Sequence, residues 1–410
     1  MDSKRSARKR SKPARSEPKA SEVHASRPKA SEDHSDDREF LRVTYRLAVD
    51  AGRAAARAEE VAREQTVEVP RAALHDRFVL EEVLGRVESL RPEPSGGQLA
   101  TIAYPVAVTA CEPAQLVNVI FGNSSLHGDV ECVDVDVPAS LRRALRGPRY
   151  GIEGLRKLVG VWDRPLTCTA VKPLGLSPSA LAELAYTFAS AGIDVIKDDH
   201  GLAAQSFCPF EERMPRCLDA VERAARETGR RALYVPNLIG TPEAIARDLR
   251  LAQELGARAV MTSPMLIGLP AFWELCQLRA GVPVLAHPAF AGAQRIAPEA
   301  LFGRLFRLFG ADAVIFVSFG SRFAASREPC RRLAANLRES WQGVMPALPV
   351  PAGGIEAENA AEVVAFYGRD TMLLVGGSLQ AGPGSAAERS RELVRSVERA
   401  ALDLPRLTEA

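Results

Sequence analysis

The sequence predicts an α/β protein, with a C-terminal (β/α)8 barrel of the TIM type and a smaller N-terminal α+β domain of the ferredoxin-like kind. The barrel is indicated by eight short β-branched runs that recur at intervals of about 25–40 residues after residue 160. Each run precedes a segment rich in Ala, Leu and Arg, and eight such units in about 250 residues are the size and count of this barrel. An open doubly wound sheet is the alternative. It is less favoured because no GxGxxG motif follows the first run and polar residues stand at nearly every strand end.

The eight predicted barrel strands share an apolar, β-branched composition. Two of the helices that follow them begin with a hydroxyl residue and then proline, Ser177-Pro178 and Thr241-Pro242, which is the order of an N-cap and the first helical position. The predicted strands are Leu166–Lys172, Ile193–Lys197, Ala232–Pro236, Ala259–Thr262, Val282–Ala286, Ala313–Val317, Leu348–Pro351 and Met372–Val375.

Residues 38–150 are predicted to form the N-terminal α+β domain, and residues 151–405 the barrel. Strand-like runs in the first region occur together with a helical stretch over Arg71–Glu88, a mixture that indicates an antiparallel sheet with helices. The predicted strands there are Leu41–Ala48, Leu99–Val108, Leu116–Phe121 and Val130–Val137.

Residues 1–37 differ from the rest of the chain. They hold 10 Lys/Arg against 7 Asp/Glu and almost no large apolar residue, and the motif Pro-Lys-Ala-Ser-Glu begins at both Pro18 and Pro28. Such a segment cannot bury enough apolar surface to offset the entropy lost on ordering. We therefore predict a disordered, basic, low-complexity tail.

Composition argues against several classes of function. The chain of 410 residues is 46% hydrophobic and 25% charged, the balance of an ordinary globular protein. Without the tail, 43 Lys/Arg face 44 Asp/Glu, so a nucleic-acid partner, which needs a clustered positive field, is not expected. A membrane partner is not expected either, since no apolar run approaches the roughly 18 residues of a span. Seven scattered cysteines without CxxC spacing indicate reduced thiols and a cytoplasmic protein.

The second predicted strand ends in four consecutive charged or titratable residues, Lys197-Asp198-Asp199-His200. Strand alternation would direct Lys197 and Asp199 to one side and Asp198 and His200 to the other. Carboxylates and an imidazole at this density are natural ligands of a cation, although a lysine among them repels metal unless it is neutral or converted to a carbamate. A salt-bridged strand end is the structural alternative.

Two glycine pairs follow the seventh and eighth strands, Gly353-Gly354 and Gly376-Gly377. Adjacent glycines leave backbone N–H groups accessible, and these two loops are where such barrels usually bind phosphate. Tight turns that need a positive φ are the alternative. His287 ends the fifth strand, where it would act as an acid, base or hydrogen-bond donor, or else as a structural residue.

These residues are similar to the signature segments of the RuBisCO large-chain superfamily. The resemblance rests on residues 169–177 and 192–200, followed by His287 and both glycine pairs in the expected order. In the N-terminal region, residues 116–122 resemble the family's asparagine segment, and residues 62–67 resemble its mobile loop with a glutamate. The resemblance covers about residues 40–405.

The resemblance implies a site for enolate chemistry with Mg2+ as cofactor. Lys197 would become a carbamate and bind the metal together with Asp199, and His200 stands at the position of the third ligand. Lys172 would move protons or stabilise the enolate, and His287 would contact the substrate's oxygens.

The resemblance also implies the partners of this site. Gly353-Gly354 and Gly376-Gly377 would hold one phosphate of a phosphorylated sugar-acid substrate. Glu64 and Asn118 would reach the active site of the other subunit in a homodimer.

Four departures from the family pattern argue against CO2 fixation. His200 stands where carboxylating enzymes have a metal-binding glutamate, and Pro288 stands where they have a phosphate-binding arginine. The second lysine of the Lys-Pro-Lys motif is missing after Lys172. The loop after the sixth strand, with Arg322 as its nearest cation, lacks the lysine that lies over bound CO2. Without that lysine nothing obvious stabilises a new carboxylate, and without the arginine one phosphate is expected rather than two.

The chemistry that survives is formation and protonation of an enediolate in a phosphorylated keto-sugar. Residues 197–202 resemble the branch that acts on 3-oxo-isoapionate 4-phosphate. The leading hypothesis is therefore a carboxy-lyase that decarboxylates this phosphorylated 3-oxo sugar acid. An enolase or isomerase acting on a methylthio sugar phosphate of methionine salvage is the alternative. A non-catalytic scaffold is a third, although the retained lysines and glycine pairs argue against it.

Overall fold

Two β-sheets lie in residues 38–94 and 96–405, which are the residues that the computed structural model describes. The predicted tail of residues 1–37 lies outside them, and the domain boundary at residue 150 stays a prediction. None of the helices in the described part of the chain combines the length and apolarity needed to cross a membrane.

The first sheet is antiparallel and is built on strict alternation in its first strand. Every second residue of β1 is buried, and the hydroxyl of Tyr45 at its centre donates a hydrogen bond to the carbonyl oxygen of Ile120 at 2.6 Å. Helix α1 (Ala51–Glu64) buries a face of small apolar residues. The strand order is β2-β3-β1-β4, with β1 Phe40–Leu47, β2 Arg86–Pro92, β3 Gln98–Pro105 and β4 Val130–Asp136.

The strand predicted over Leu116–Phe121 is wrong, because these residues belong to helix α2 (Pro113–Phe121). Pro113 occupies the first helical turn, where a missing N–H is tolerated. Leu116, Val119 and Ile120 are buried, and their i, i+3, i+4 spacing gives one helical face. A short run that is apolar except for Asn118 fits a buried strand or a helix equally well.

The helix predicted over Arg71–Glu88 is also largely wrong. This stretch contains a single 3-10 turn (Arg71–Ala73) and a short π-helical turn (Val79–Val83), and β2 then begins at Arg86. Nearly every residue of β2 is exposed, so the strand carries no hydrophobic alternation. It forms because it pairs with β3 as an edge strand of the sheet.

The second sheet confirms the predicted barrel. Its eight parallel strands have the order β7-β6-β5-β12-β11-β10-β9-β8, and a parallel bridge between Asn237 and Met261 joins β7 to β8. The strands are β5 Leu166–Val171, β6 Val195–Asp198, β7 Leu233–Val235, β8 Val260–Thr262, β9 Val284–Ala286, β10 Ala313–Val317, β11 Leu348–Ala352 and β12 Met372–Val375.

The helices that follow the barrel strands begin where the sequence predicts caps. Ser177 and Thr241 each accept a hydrogen bond from the backbone N–H three residues later, at 3.3 Å. The remaining helices are α3 Ala139–Leu145, α4 Gly151–Val159, α5 Pro178–Ser190, α6 Phe210–Thr228, α7 Pro242–Glu254, α8 Pro264–Ile267, α9 Leu269–Glu274, α10 Pro298–Ala300, α11 Arg327–Arg338, α12 Ala360–Tyr367 and α13 Ala386–Ala401.

The loop after β9 connects the barrel to the antiparallel sheet. Cys132 of β4 forms a parallel bridge with Ile296. Its N–H donates to the carbonyl oxygen of Arg295 at 3.0 Å, and its carbonyl oxygen accepts from the N–H of Ala297 at 2.8 Å. The far end of this loop is therefore fixed by backbone hydrogen bonds to the first sheet.

Candidate active site

Polar residues from three barrel strands meet at the carboxyl end of the barrel. Lys172 follows β5, Asp199 and His200 follow β6, and His287 follows β9. The ammonium of Lys172 forms an ion pair with the carboxylate of Asp199. The rings of His200 and His287 stack, with centroids 4.2 Å apart and an angle of 11° between their planes. The first, second and fifth strands thus contribute side chains to one cluster at the barrel mouth.

Lys197 is buried below this cluster, with 2% of its surface exposed. Its Nζ donates a hydrogen bond to the carbonyl oxygen of Asp198 at 2.9 Å. Burial lowers the pKa of this amine, and the nearby Cys168 thiol and Asp199 carboxylate only partly oppose that shift. Lys197 therefore loses its proton more readily than an exposed lysine does.

Asp199 is held as a carboxylate. Burial alone would raise its pKa, but the ion pair with Lys172 and the hydrogen bond from the N–H of Gly201, at 3.0 Å, outweigh burial and lower the pKa. Its charge is therefore already balanced by the Lys172 ammonium.

Asp198 points away from the mouth, as the strand alternation predicts, and it organises a buried network. Its carboxylate accepts hydrogen bonds from the Tyr234 hydroxyl at 2.5 Å and from the backbone N–H of Asn237 at 3.0 Å. The guanidinium of Arg213 pairs with it at 3.2 Å, and both side chains are fully buried. The side-chain amide of Asn237 in turn donates to the carbonyl oxygen of His200 at 3.0 Å.

This network fixes the backbone that presents Lys197, Asp199 and His200. His200 was expected beside Asp198, and that prediction is wrong, because the strand ends at Asp198 and alternation no longer applies beyond it. Arg213 was missed, although the sequence carries a signal for it. It shares the buried face of α6 with Phe210, Met214 and Cys217, and an arginine on an apolar helix face needs a buried partner.

His287 is a neutral imidazole of defined tautomer. Burial, with added repulsion from Lys197 and His200, lowers its pKa to about 2. Its Nδ1 accepts a hydrogen bond from the N–H of Ala289 at 3.1 Å, so the proton resides on Nε2. His287 can therefore donate one hydrogen bond from Nε2 to a ligand oxygen without carrying charge.

The side chains fit Mg2+ only after chemical modification. In the described ranges, no group of three or more His, Cys, Asp or Glu residues is arranged to hold a metal, and the one carboxylate at the mouth, Asp199, is neutralised by Lys172. Conversion of the buried Lys197 amine to a carbamate would replace a basic group by an anionic oxygen ligand. Together with Asp199 and His200, whose Nδ1 lies 3.6 Å from an Asp199 oxygen, it would form a donor set suited to Mg2+.

The two glycine pairs differ in backbone conformation and in the space around them. Gly353 and Gly354 have φ of 88° and 68°, and a Cβ on Gly354 would lie 2.4 Å from the carbonyl oxygen of Gly320. This pair is therefore explained by backbone conformation and by packing against the loop after β10. Gly376 and Gly377 have neither a positive φ nor a protein atom within 4 Å of an added Cβ. Their backbone faces open space, which favours phosphate binding at the end of β12.

The loop after β10 is held by aromatic packing. The ring of Phe319 lies 4.6 Å from that of Phe366, and the guanidinium of Arg327 lies 4.4 Å above Phe319. Arg322, the nearest cation expected from the sequence, is exposed and stacks on Phe323 at 4.9 Å.

Glu64, at the end of α1, and Asn118, in α2, lie on helices of the N-terminal region. The side-chain amide of Gln65 donates to the carbonyl oxygen of Asn118 at 2.8 Å. The amide of Asn123, which sequence reasoning missed, donates to a carboxylate oxygen of Glu64 at 3.1 Å. The Asn118 side chain instead contacts Gln115, at 3.4 Å. Asn123 is therefore the side chain that orients Glu64.

A wide cleft of about 1520 Å³ lies at the opposite, amino end of the barrel. Its cations include Lys157 in the last turn of α4 and Arg230 just after α6. Positive charges at helix C-termini complement the helix dipole, so these residues are explained without a ligand.

Comparison with known proteins agrees with the family resemblance seen in the sequence, and the names below do not include the decarboxylase. The family described as ribulose bisphosphate carboxylase large chain, catalytic domain, matches residues 151–319. Ribulose bisphosphate carboxylase-like protein 1 of Rhodopseudomonas palustris is 44% identical, over 88% of this chain and 98% of its own length. The 5-methylthioribulose-1-phosphate isomerase of Rhodospirillum rubrum is 40% identical, over 88% of this chain and 97% of its own. A crystal structure of a Rubisco-like protein from Rhodopseudomonas palustris has a TM-score of 0.81 at 42% identity and covers 88% of this chain and 97% of that one.

The substitution Arg213→Met should destabilise the protein, because it leaves the buried Asp198 carboxylate without its cation. Loss of one partner of a buried ion pair lowers the free energy of unfolding by about 3–5 kcal/mol. Urea unfolding followed by circular dichroism measures this change. Arg216→Met, at an exposed position of the same helix, is the matched control. Equal urea midpoints for the two variants would contradict the assigned role of the pair.

Proposed function

Because this chain belongs to the RuBisCO large-chain family as one of its RuBisCO-like proteins, we propose that it isomerises a phosphorylated keto-sugar bearing a methylthio group. The proposal rests on one feature of the site, the cluster of Lys172, Lys197 and neutral His287 around a single carboxylate. This arrangement suits proton transfer next to a carbonyl. The name of the relative from Rhodospirillum rubrum supports the isomerase over the decarboxylase.

The reaction needs a proton to leave the hydroxyl-bearing carbon beside the substrate carbonyl and a proton to reach the former carbonyl carbon. A proton also leaves that hydroxyl, and the former carbonyl oxygen gains one, so that the carbonyl moves and no atom is lost. Lys172, whose side chain is 36% exposed at the mouth, is placed to carry these protons. The Nε2–H of His287 would donate a hydrogen bond to the oxygen that becomes negative in the enediolate. The open backbone at Gly376 and Gly377 would receive the phosphate.

Mg2+, bound by a Lys197 carbamate, Asp199 and His200, would polarise the same oxygen. The chain's own contribution is the buried Lys197 amine at the end of β6, held by its hydrogen bond to the Asp198 carbonyl. The decarboxylation of 3-oxo-isoapionate 4-phosphate is supported only by the likeness of residues 197–202 to that branch, and it therefore ranks second.

Turnover in D2O separates these activities. With 5-methylthioribulose 1-phosphate we expect a new ketose phosphate with deuterium on the carbon that accepts the proton, detected by proton and phosphorus NMR, and no release of CO2. Release of CO2 from 3-oxo-isoapionate 4-phosphate, without reaction of the methylthio substrate, would overturn the proposal. Absence of turnover with both compounds would contradict both enzyme hypotheses and favour the non-catalytic scaffold.

Carbamate formation on Lys197 is directly observable. Protein incubated with 13C-bicarbonate and Mg2+ should show one carbamate signal in the 13C NMR spectrum, and this signal should be absent from Lys197→Arg. Lys157→Arg, at the other end of the barrel, should keep the signal. Calorimetry should show tighter Mg2+ binding with bicarbonate than without it. A signal that persists in Lys197→Arg would refute the assignment.

Shared active sites in a homodimer predict complementation. Lys172→Met and Glu64→Gln should each lower kcat by at least about 100-fold. Subunit exchange between the two variants should restore about a quarter of wild-type activity, because half of the dimers are mixed and one of their two sites is intact.

Exchange between Lys172→Met and Lys197→Met is the control for this complementation. Both changes lie in the barrel, so no mixed site is intact and no recovery is expected. Recovery in both mixtures, or in neither, would contradict a Glu64 contribution across the dimer interface.

A further inference from the structure

Phe290 occupies a backbone position that suits glycine. The N–H of Ala291 donates to the carbonyl oxygen of Pro288 at 3.1 Å, which closes a turn whose third residue is Phe290. Phe290 has φ 68° and ψ 0°, values that turns of this kind require of glycine or asparagine. A residue with a Cβ is disfavoured there, because the left-handed conformation brings the Cβ too close to a backbone oxygen. The ring is also 63% exposed, so packing within the chain does not compensate.

The turn that contains Phe290 belongs to the barrel mouth. It begins directly after His287, whose ring stacks on His200 and whose Nδ1 accepts from the N–H of Ala289 in the same turn. The loop therefore begins at His287, which belongs to the cluster at the barrel mouth. It ends at Ile296, which pairs with Cys132 of the N-terminal sheet. Phe290 lies on the short segment between them.

The start of the loop after β9, residues 288–294, contains no charged residue. Arg295, the arginine of the loop, is turned to the N-terminal region, where it donates to the carbonyl oxygens of Ser125 and His127. The open glycine backbone suited to phosphate follows β12, which is three strands away from β9 in the barrel order. A ligand that spans the mouth would have its phosphate at β12 and its other end at the loop after β9.

We propose that the ring of Phe290 packs against the uncharged methylthio end of the substrate and selects for it. This inference rests on the proposed function, and it identifies the residue that recognises the substrate's apolar end. A thioether in contact with an aromatic ring is a favourable pair, whereas Pro288 and Phe290 offer no charge to a second phosphate. The strained turn is maintained because it directs the ring to the ligand and not into the core.

The substitution Phe290→Gly separates strain from function. Thermal unfolding should show an equal or higher Tm, because glycine relieves the positive φ. For 5-methylthioribulose 1-phosphate, kcat/KM should fall about tenfold, mostly through KM. For ribulose 1-phosphate, which has a hydroxyl at that end, kcat/KM should change less than about twofold. Phe78→Ala, an exposed phenylalanine of the N-terminal region, should leave both values unchanged.

Binding of unreactive analogues tests the role of Phe290 even if the protein does not turn over the substrate. Calorimetry with the reduced analogues 5-methylthioribitol 1-phosphate and ribitol 1-phosphate should show that the wild type prefers the first, and that Phe290→Gly loses this preference. An equal loss of affinity for both analogues, or no preference in the wild type, would overturn the assignment of Phe290.

A shift of Phe290→Gly from dimer to monomer in sedimentation would also overturn it, since the ring would then contact a second copy of the chain. If the wild type binds the methylthio analogue selectively but turns over no substrate, the proposed isomerase fails and the role of Phe290 stands.

Discussion

The buried pair between Asp198 and Arg213 is the interaction on which the geometry of the site depends. Both side chains are fully buried, and removal of one charge would leave the other in a low-dielectric interior at a cost of several kcal/mol. The pair, completed by Tyr234 and the backbone of Asn237, fixes the end of the second barrel strand. Because side chains alternate along a strand, anchoring Asp198 on the outer side directs Lys197 to the inner side, and it fixes the backbone that carries Asp199.

The balance of charge at the mouth then determines the chemistry that the site can perform. One carboxylate, Asp199, faces the ammonium of Lys172 and the buried amine of Lys197, while His287 is kept neutral by burial. In the proposed reaction Lys172 would move protons at a carbon beside a carbonyl, and the neutral imidazole of His287 would donate a hydrogen bond to the oxygen that becomes negative. Within the described residues 317–323, the loop after β10 has no lysine, and its cation Arg322 is exposed.

The loop after β9 couples the two sheets of the molecule. One end contributes His287 to the polar cluster at the barrel mouth, and the other pairs with Cys132 of the antiparallel sheet. Between them the chain holds Phe290 in a conformation that costs energy and exposes its ring. Such strain persists only where the surrounding structure fixes it at both ends, as the stacked histidines and the backbone bridge do here.

The sequence by itself determined the barrel, its eight strands, the helix caps and the residues at the strand ends, because periodic burial and local capping leave a direct pattern in the chain. It could not determine α2 or β2. A six-residue run that is apolar except for Asn118 fits a helix as well as a strand, and an exposed edge strand forms only through its neighbour. Tertiary structure alone decided that His200 stacks on His287, that Asn123 and not the Asn118 side chain meets Glu64, and that Gly353-Gly354 serve loop packing whereas Gly376-Gly377 face open space. Each of these depends on contacts between segments far apart in the chain, and the spacing of residues along a single segment does not encode them.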